Sequence, residues 1–161
     1  MAGVAPLTFS YHRAVAPMLW VLVALSSIEL VVMHGLLVFW SPMTAAILSV
    51  ATLASIIWIV ALIRSMKRLP VILGSETLVM RVGLFRRVDV PLADVAGLRS
   101  NWTGELVKAR TTLNLALVAY PNMVLDLRRP LPGRRGVVTI AHRLDDPVGF
   151  AAALERLGAA R

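Results

Sequence analysis

The chain has 161 residues, 58% of them apolar and only 16% charged, yet its formal net charge is +8. That composition excludes a disordered or collagen-like chain, and the lack of cysteine excludes a disulfide scaffold, thiol catalysis, iron–sulfur clusters and cysteine-based zinc sites. The two properties separate by position: residues 1–63 hold one basic residue (Arg13) and one acidic residue (Glu29), and residues 64–161 hold 16 of the 17 Lys and Arg and 8 of the 9 Asp and Glu.

Residues 1–13 read as a short cytoplasmic segment. Residues 14–68 then form a helical hairpin. Its first run, AVAPMLWVLVALSSIELVVMHGLLVFW (14–40), and its second, starting MTAAILSVATLASIIWIVALI (43–65), are each long enough at 1.5 Å per residue to cross a hydrocarbon core of about 30 Å. Only Ser41-Pro42 separates them, a connection so short that the helices must be antiparallel neighbours. Pro17 and Pro42 fall in first turns, where a missing N–H is tolerated. The first run is too long for a signal-peptide core, and a second span follows at once. Basic residues flank the hairpin at His12-Arg13 and at Arg64, Lys67 and Arg68, whereas the Ser41-Pro42 turn has none. The positive-inside rule therefore predicts both termini on the cytoplasmic side. Trp20, Trp40 and Trp58, with Tyr11 and Phe39, fall near the span ends, where an aromatic belt forms.

Polar residues interrupt the spans. Glu29 lies near the middle of the first helix, with Ser26 and Ser27 beside it and His34 further out. Helix two presents Ser49, Thr52 and Ser55. An acid at mid-bilayer is costly and should face protein. Register counted from the turn places His34 opposite Ser49 and Glu29 opposite positions near 54. Small residues at Ala45, Ser49, Thr52, Ala51 and Ser55 permit close helix approach. Glu29 and His34 are about 140° apart around the helix and do not share one face cleanly. Two readings stand: these groups hydrogen-bond the helices together or to a second copy, or they handle protons within an oligomer. One Glu and one His are too few to hold a metal.

After Arg68 the pattern changes. Leu69-Pro70 ends the helix. Short runs rich in Val, Leu and Ile predict strands near 71–73, 77–82, 87–91, 113–120, 124–129 and 137–142, separated by turn signals at Gly74-Ser75, Gly83, Pro121-Asn122 and 130–136. Residues 92–98 read as a turn or a single helical turn, and 100–112 as a mobile loop between strands. Asp145-Asp146-Pro147 predicts a helix start, with Phe150, Leu154 and Leu157 on its buried face and Gly158 at its end. Residues 69–161 thus form a small α+β domain, an antiparallel sheet of about six or seven strands with a C-terminal helix.

The stretch VILGSETLVMRVGLFRRVDVPLADVAGL (Val71–Leu98) resembles the opening of bacterial PH-like domains. The shared order is a strand from Leu78 to Val82, then Gly83, Arg86-Arg87, Pro91-Leu92 and Asp94. VVTIAHRLDDPVGFAAAL (Val137–Leu154) is similar to their last strand and terminal helix. The resemblance covers about residues 70–155, and a preceding two-helix hairpin is a common arrangement. It implies a PH-like split barrel closed by the terminal helix, a binding and assembly module in the bacterial cytoplasmic membrane. It carries no lipid-binding signature residue by residue.

The charge invites a surface role. Arg64, Lys67, Arg68, Arg86, Arg87, Arg128, Arg129, Arg134 and Arg135 are candidates to meet anionic lipids, at about 1 kcal/mol each, or an acidic protein partner. Nucleic acid is not expected, because the basic half has no recognition helix and no series of stacking aromatics. There is no phosphate loop, HExxH or GxSxG motif. His12, His34 and His142 belong to separate elements. Asn101-Trp102-Thr103 matches a glycosylation sequon that the predicted cytoplasmic side leaves idle. The expectation is a non-enzymatic membrane protein without a cofactor, an accessory subunit or assembly module that binds a partner or itself through the hairpin. The alternative is a transport or proton-handling component built on Glu29 and His34.

Overall fold

Ser41 begins the reversal at the top of the hairpin. Its backbone is extended, and its side chain accepts from Thr44 N–H at 3.4 Å while Pro42 occupies the first helical position. The computed structural model describes residues 5–117, 119–134 and 136–159. In it, helix α1 runs Ala16–Val38 and helix α2 Pro42–Arg68. Both are long and apolar enough to cross a membrane. Their apolar side chains point outward: Val21, Leu25, Ile28, Val31, Ile47 and Val50 are all exposed. A helix whose outward surface is mostly apolar and unburied is suited to lipid rather than water. α2 extends three residues beyond the expected 65, because Arg64 to Arg68 continue the helix down to Leu69-Pro70.

The rest is a small α+β domain with two four-stranded sheets. The first has the order β1-β2-β3-β4, all antiparallel, from β1 (Leu7–Phe9), β2 (Val71–Leu73), β3 (Thr77–Val82) and β4 (Arg86–Pro91). The second has the order β5-β7-β8-β6, from β5 (Val95–Leu98), β6 (Thr112–Asn114), β7 (Met123–Leu127) and β8 (Thr139–His142). Alternation sets the inner faces: Leu78, Met80 and Val82 on β3 and Val88 and Val90 on β4 are buried. A single 3-10 turn, Leu92–Asp94, links the sheets. Helix α3 (Gly104–Lys108) starts at Thr103, whose hydroxyl accepts from Leu106 N–H. Helix α4 (Pro147–Ala159) is capped by Asp146, which accepts from Gly149 N–H at 2.8 Å, and drives Phe150 fully into the core.

Several expectations need correction. The N-terminal segment is not separate from the domain: residues 7–9 pair with β2, so the sheet begins before the hairpin and resumes after it. Tyr11 is not an interfacial aromatic but only 3% exposed. Residues 95–98 form a strand rather than a turn, with a register shift between Val95 and Gly97. The loop 100–112 contains α3, held by the buried Val107. The strand expected over 113–120 stops at Asn114, whose side chain accepts from Ala116 N–H at 2.9 Å and bends the chain away. β6 also runs parallel to β8, so the second sheet is mixed.

One continuous core joins the hairpin to the domain. Ile59, Ile63 and Met66 of α2 and Leu19 of α1 pack with Val71, Leu78, Met80, Leu125, Ile140 and Phe150. Tyr11 stands at the junction. Its hydroxyl donates to Leu69 O at 3.0 Å and accepts from Gly83 N–H at 2.6 Å, and its ring lies 5.2 Å from that of His142. Gly83 has φ +51°, and a Cβ there would sit 2.7 Å from Ser65 Oγ, so the β3–β4 turn approaches α2 only as glycine. Phe9 meets Phe150 edge to face, and Ser10 O accepts from Asp145 N–H at 2.8 Å.

Two outcomes follow from this junction. Tyr11→Phe leaves a carbonyl and a buried N–H unpaired, so the full chain in detergent should lose about 1–3 kcal/mol in denaturant unfolding; an unchanged midpoint would refute the clamp. His142 is 1% exposed, and burial holds its pKa down at about 4 against backbone contacts from Arg81 and Arg143 that pull it up. Its Nε2 donates to Arg81 O and its Nδ1 accepts from Arg143 N–H, which uses the neutral ring. Below about pH 6.5 the unfolded chain takes up a proton that the native ring refuses, so stability falls as pH drops toward 4. At pH 5 the loss should be about 2 kcal/mol relative to pH 7.5. His142→Gln should flatten that slope, and an unchanged slope would assign it elsewhere.

Candidate functional site

The hairpin register builds the first candidate. With Ala45 fully buried at the tight end, α1 and α2 lie close, and His34 Nδ1 meets Ser49 Oγ at 2.7 Å. This is the pairing that counting from the turn predicts. His34 and Ser49 form a bridge between two hollows. One, of about 250 Å³, is lined by Glu29, His34, Ala45, Ser49 and Thr52 among others. The other, of about 440 Å³, is lined by Leu30, Val31, Gly35, Val50 and Leu53 beside the same His34–Ser49 pair. Gly35 leaves that second hollow open, since a Cβ there would touch nothing within 4 Å.

The seven polar candidates therefore divide. Ser27 and Ser55 donate to carbonyls of their own helices, Val23 O at 2.7 Å and Ala51 O at 2.9 Å, and have no partner across the seam among the described residues. His34 and Ser49 join the helices. Glu29 and Thr52 border the first hollow, two positions from the facing residue that simple counting gives, and Ser26 lies outside it. Glu29 and His34 border one hollow despite their angular separation, because the seam admits residues from both flanks of α1. Glu29 is exposed, and among the described residues its carboxyl makes no hydrogen bond or ion pair. One carboxyl and one imidazole already used by a hydroxyl make a polar contact point; they do not make a metal centre.

The basic candidates separate into two places. Arg64, Lys67 and Arg68 are exposed at the foot of α2, and Arg86 and Arg87 begin β4 immediately after the turn that touches α2. Arg128, Arg129 and Arg134 lie elsewhere. Met123 pairs with His142 beside Tyr11, and Arg128 follows β7 about 16 Å further along the strand direction. Neighbouring acids offset part of the charge: Arg87 pairs with Asp89 at 3.0 Å and Arg129 with Asp94 at 2.7 Å. Arg135 lies outside the described residues.

Sequence reading passed over the tip of the β3–β4 turn. Leu84 is 76% exposed, and the Phe85 ring lies 5.3 Å from that of Trp58 on α2, edge to face. The available signal was Leu-Phe between a glycine and two arginines, an apolar pair where a water-facing turn carries polar residues.

No protein-family model matches the chain, and neither the curated proteins nor the solved structures contain a significant match.

Proposed function

We propose that this chain is a non-enzymatic integral membrane protein, an interaction and assembly module that serves as an accessory subunit of a membrane complex. The observation that carries the reading is Glu29. It sits midway along a helix with lipid-suited surroundings, unpaired, beside an open hollow between α1 and α2. A carboxyl in hydrocarbon needs a hydrogen-bonding partner, and the seam of this hairpin supplies only Thr52 and the occupied His34–Ser49 pair. A helix of a second copy or of another subunit supplies the remainder. His34 is engaged as a bridge, which favours assembly over proton transfer.

The α+β part fits this role. Its two sheets and its terminal helix, with Phe150 as plug, support the PH-like reading of residues 69–161. In that reading the domain is a split barrel held at the cytoplasmic face of a bacterial cytoplasmic membrane. The pairing of β1 with β2 keeps both flanks of the hairpin on one side, and the basic foot of α2 against an uncharged Ser41-Pro42 turn supports a cytoplasmic reading of that side.

The experiment is gentle extraction of the full chain followed by sizing and identification of what accompanies it. A dimer or a fixed-ratio partner is expected. Glu29→Leu should weaken that association about three- to thirtyfold, matching about 0.6–2 kcal/mol for an intramembrane hydrogen bond. A lone monomer, or an association indifferent to Glu29, would refute the reading. Single-cysteine variants are clean reporters of orientation, because the chain has no cysteine. An impermeant thiol reagent outside intact cells should label Ser41→Cys and spare Val148→Cys.

A further inference from the structure

We infer that the groove between α2 and the β3–β4 turn binds one phospholipid with an anionic head group. The inference rests on the membrane-spanning reading of the hairpin but not on the identity of any protein partner. The groove has a volume of about 580 Å³. Ile57, Val60 and Leu84 form its apolar wall, and Arg64 and Arg68 stand at its lower end.

Depth along α2 decides what can fill it. At 1.5 Å per residue, Arg64 lies about 33 Å from Pro42 and Trp58 about 24 Å. With a hydrocarbon core of about 30 Å, the arginines stand at the head-group level and Trp58 just within the acyl chains. Phe85 touches Trp58, so the turn of the domain reaches into the same layer. That accounts for an apolar Leu84 being 76% exposed at the tip of the turn: at this depth its surroundings are acyl chains. Gly83 and the Tyr11 hydroxyl hold the turn against Ser65, so the groove is part of the rigid junction.

Charge selects the head group. Arg64 and Arg68 are one turn apart on the same side of α2, a spacing that lets two guanidinium groups share one phosphate. Neither has an ion-pair partner among the described residues, and no acidic residue lines the groove. Arg86 and Lys67, both exposed nearby in the chain, add to the positive field. A zwitterionic head group would bring its own cation to this cluster, whereas an anionic one leaves the phosphate to the arginines.

The test is thermal unfolding of the full chain in a neutral detergent with added phosphatidylglycerol, with phosphatidylcholine of identical acyl chains, or with inorganic phosphate. Phosphatidylglycerol should raise the midpoint well beyond phosphatidylcholine, and inorganic phosphate should leave it unmoved, because the acyl chain is part of the ligand. Arg64→Gln with Arg68→Gln should remove the difference between the lipids, and Arg128→Gln with Arg134→Gln should retain it. Should the first pair fail to fold, Leu84→Glu places a carboxylate in the groove at an exposed position and should remove the same difference. Equal stabilisation by the two lipids would overturn the site while leaving the membrane reading intact. Loss of the difference in the Arg128/Arg134 variant would overturn it in favour of diffuse charge. A midpoint indifferent to both lipids, in a chain soluble without detergent, would overturn the site together with the membrane reading.

Discussion

Three pieces of chain distant in sequence meet at the hydroxyl of Tyr11: the approach to α1, the exit of α2 at Leu69 and the β3–β4 turn at Gly83. Each of the groups involved would otherwise be a backbone polar atom in a closed, apolar junction, where an unpaired donor or acceptor is expensive. One hydroxyl can serve both because it donates and accepts at once. Burial raises the pKa of Tyr11, more than the Gly83 contact and the Arg81 charge lower it, so the donor proton stays in place through the neutral range. Phenylalanine fills the same space without either bond, so geometry and hydrogen bonding at this position are separable.

The constraint makes the hairpin and the domain a single mechanical body. Two helices joined to a soluble domain by one linker would swivel. Here the chain enters α1 from a strand of the first sheet and leaves α2 directly into the neighbouring strand, with Ile63 and Met66 in the same core as Leu78 and Phe150. The contact of Asp145 with Ser10 and Arg13 ties the start of the chain to the approach to α4 as well. The helices and the sheets therefore share one packed core rather than a single flexible joint.

What could be read from the residues follows range of interaction. The two long apolar helices, their turn, the His34–Ser49 register, the β3–β4 hairpin and the start of α4 depend on neighbours in sequence or on simple counting, and their signals are local. β1 has no such signal. Leu7-Thr8-Phe9 is a strand only because Val71 to Leu73 lies beside it, across the whole hairpin. Tyr11 looked like an interfacial aromatic because position near a span end does not say which way a ring turns. β6 ended early because the Asn114 side chain competes with the ladder. The polar seam was legible as residue types, but only packing separates Ser27 and Ser55, satisfied within their helices, from Glu29, which is not.

The same distinction governs the charge. A net +8 suggests a broad basic face, but charge acts where it is unpaired and where the dielectric is low. Arg87, Arg99 and Arg129 each have a carboxylate within 3.0 Å, so their far field is largely cancelled. Among the described residues Arg64 and Arg68 have none, and they stand at the foot of an apolar helix, beside an exposed Leu84. Exposed ion pairs in water contribute little, whereas each unpaired basic group beside an anionic membrane surface gains about 1 kcal/mol. The proposed lipid site thus draws on two unpaired arginines one turn apart beside an apolar wall, unlike the paired Arg87, Arg99 and Arg129.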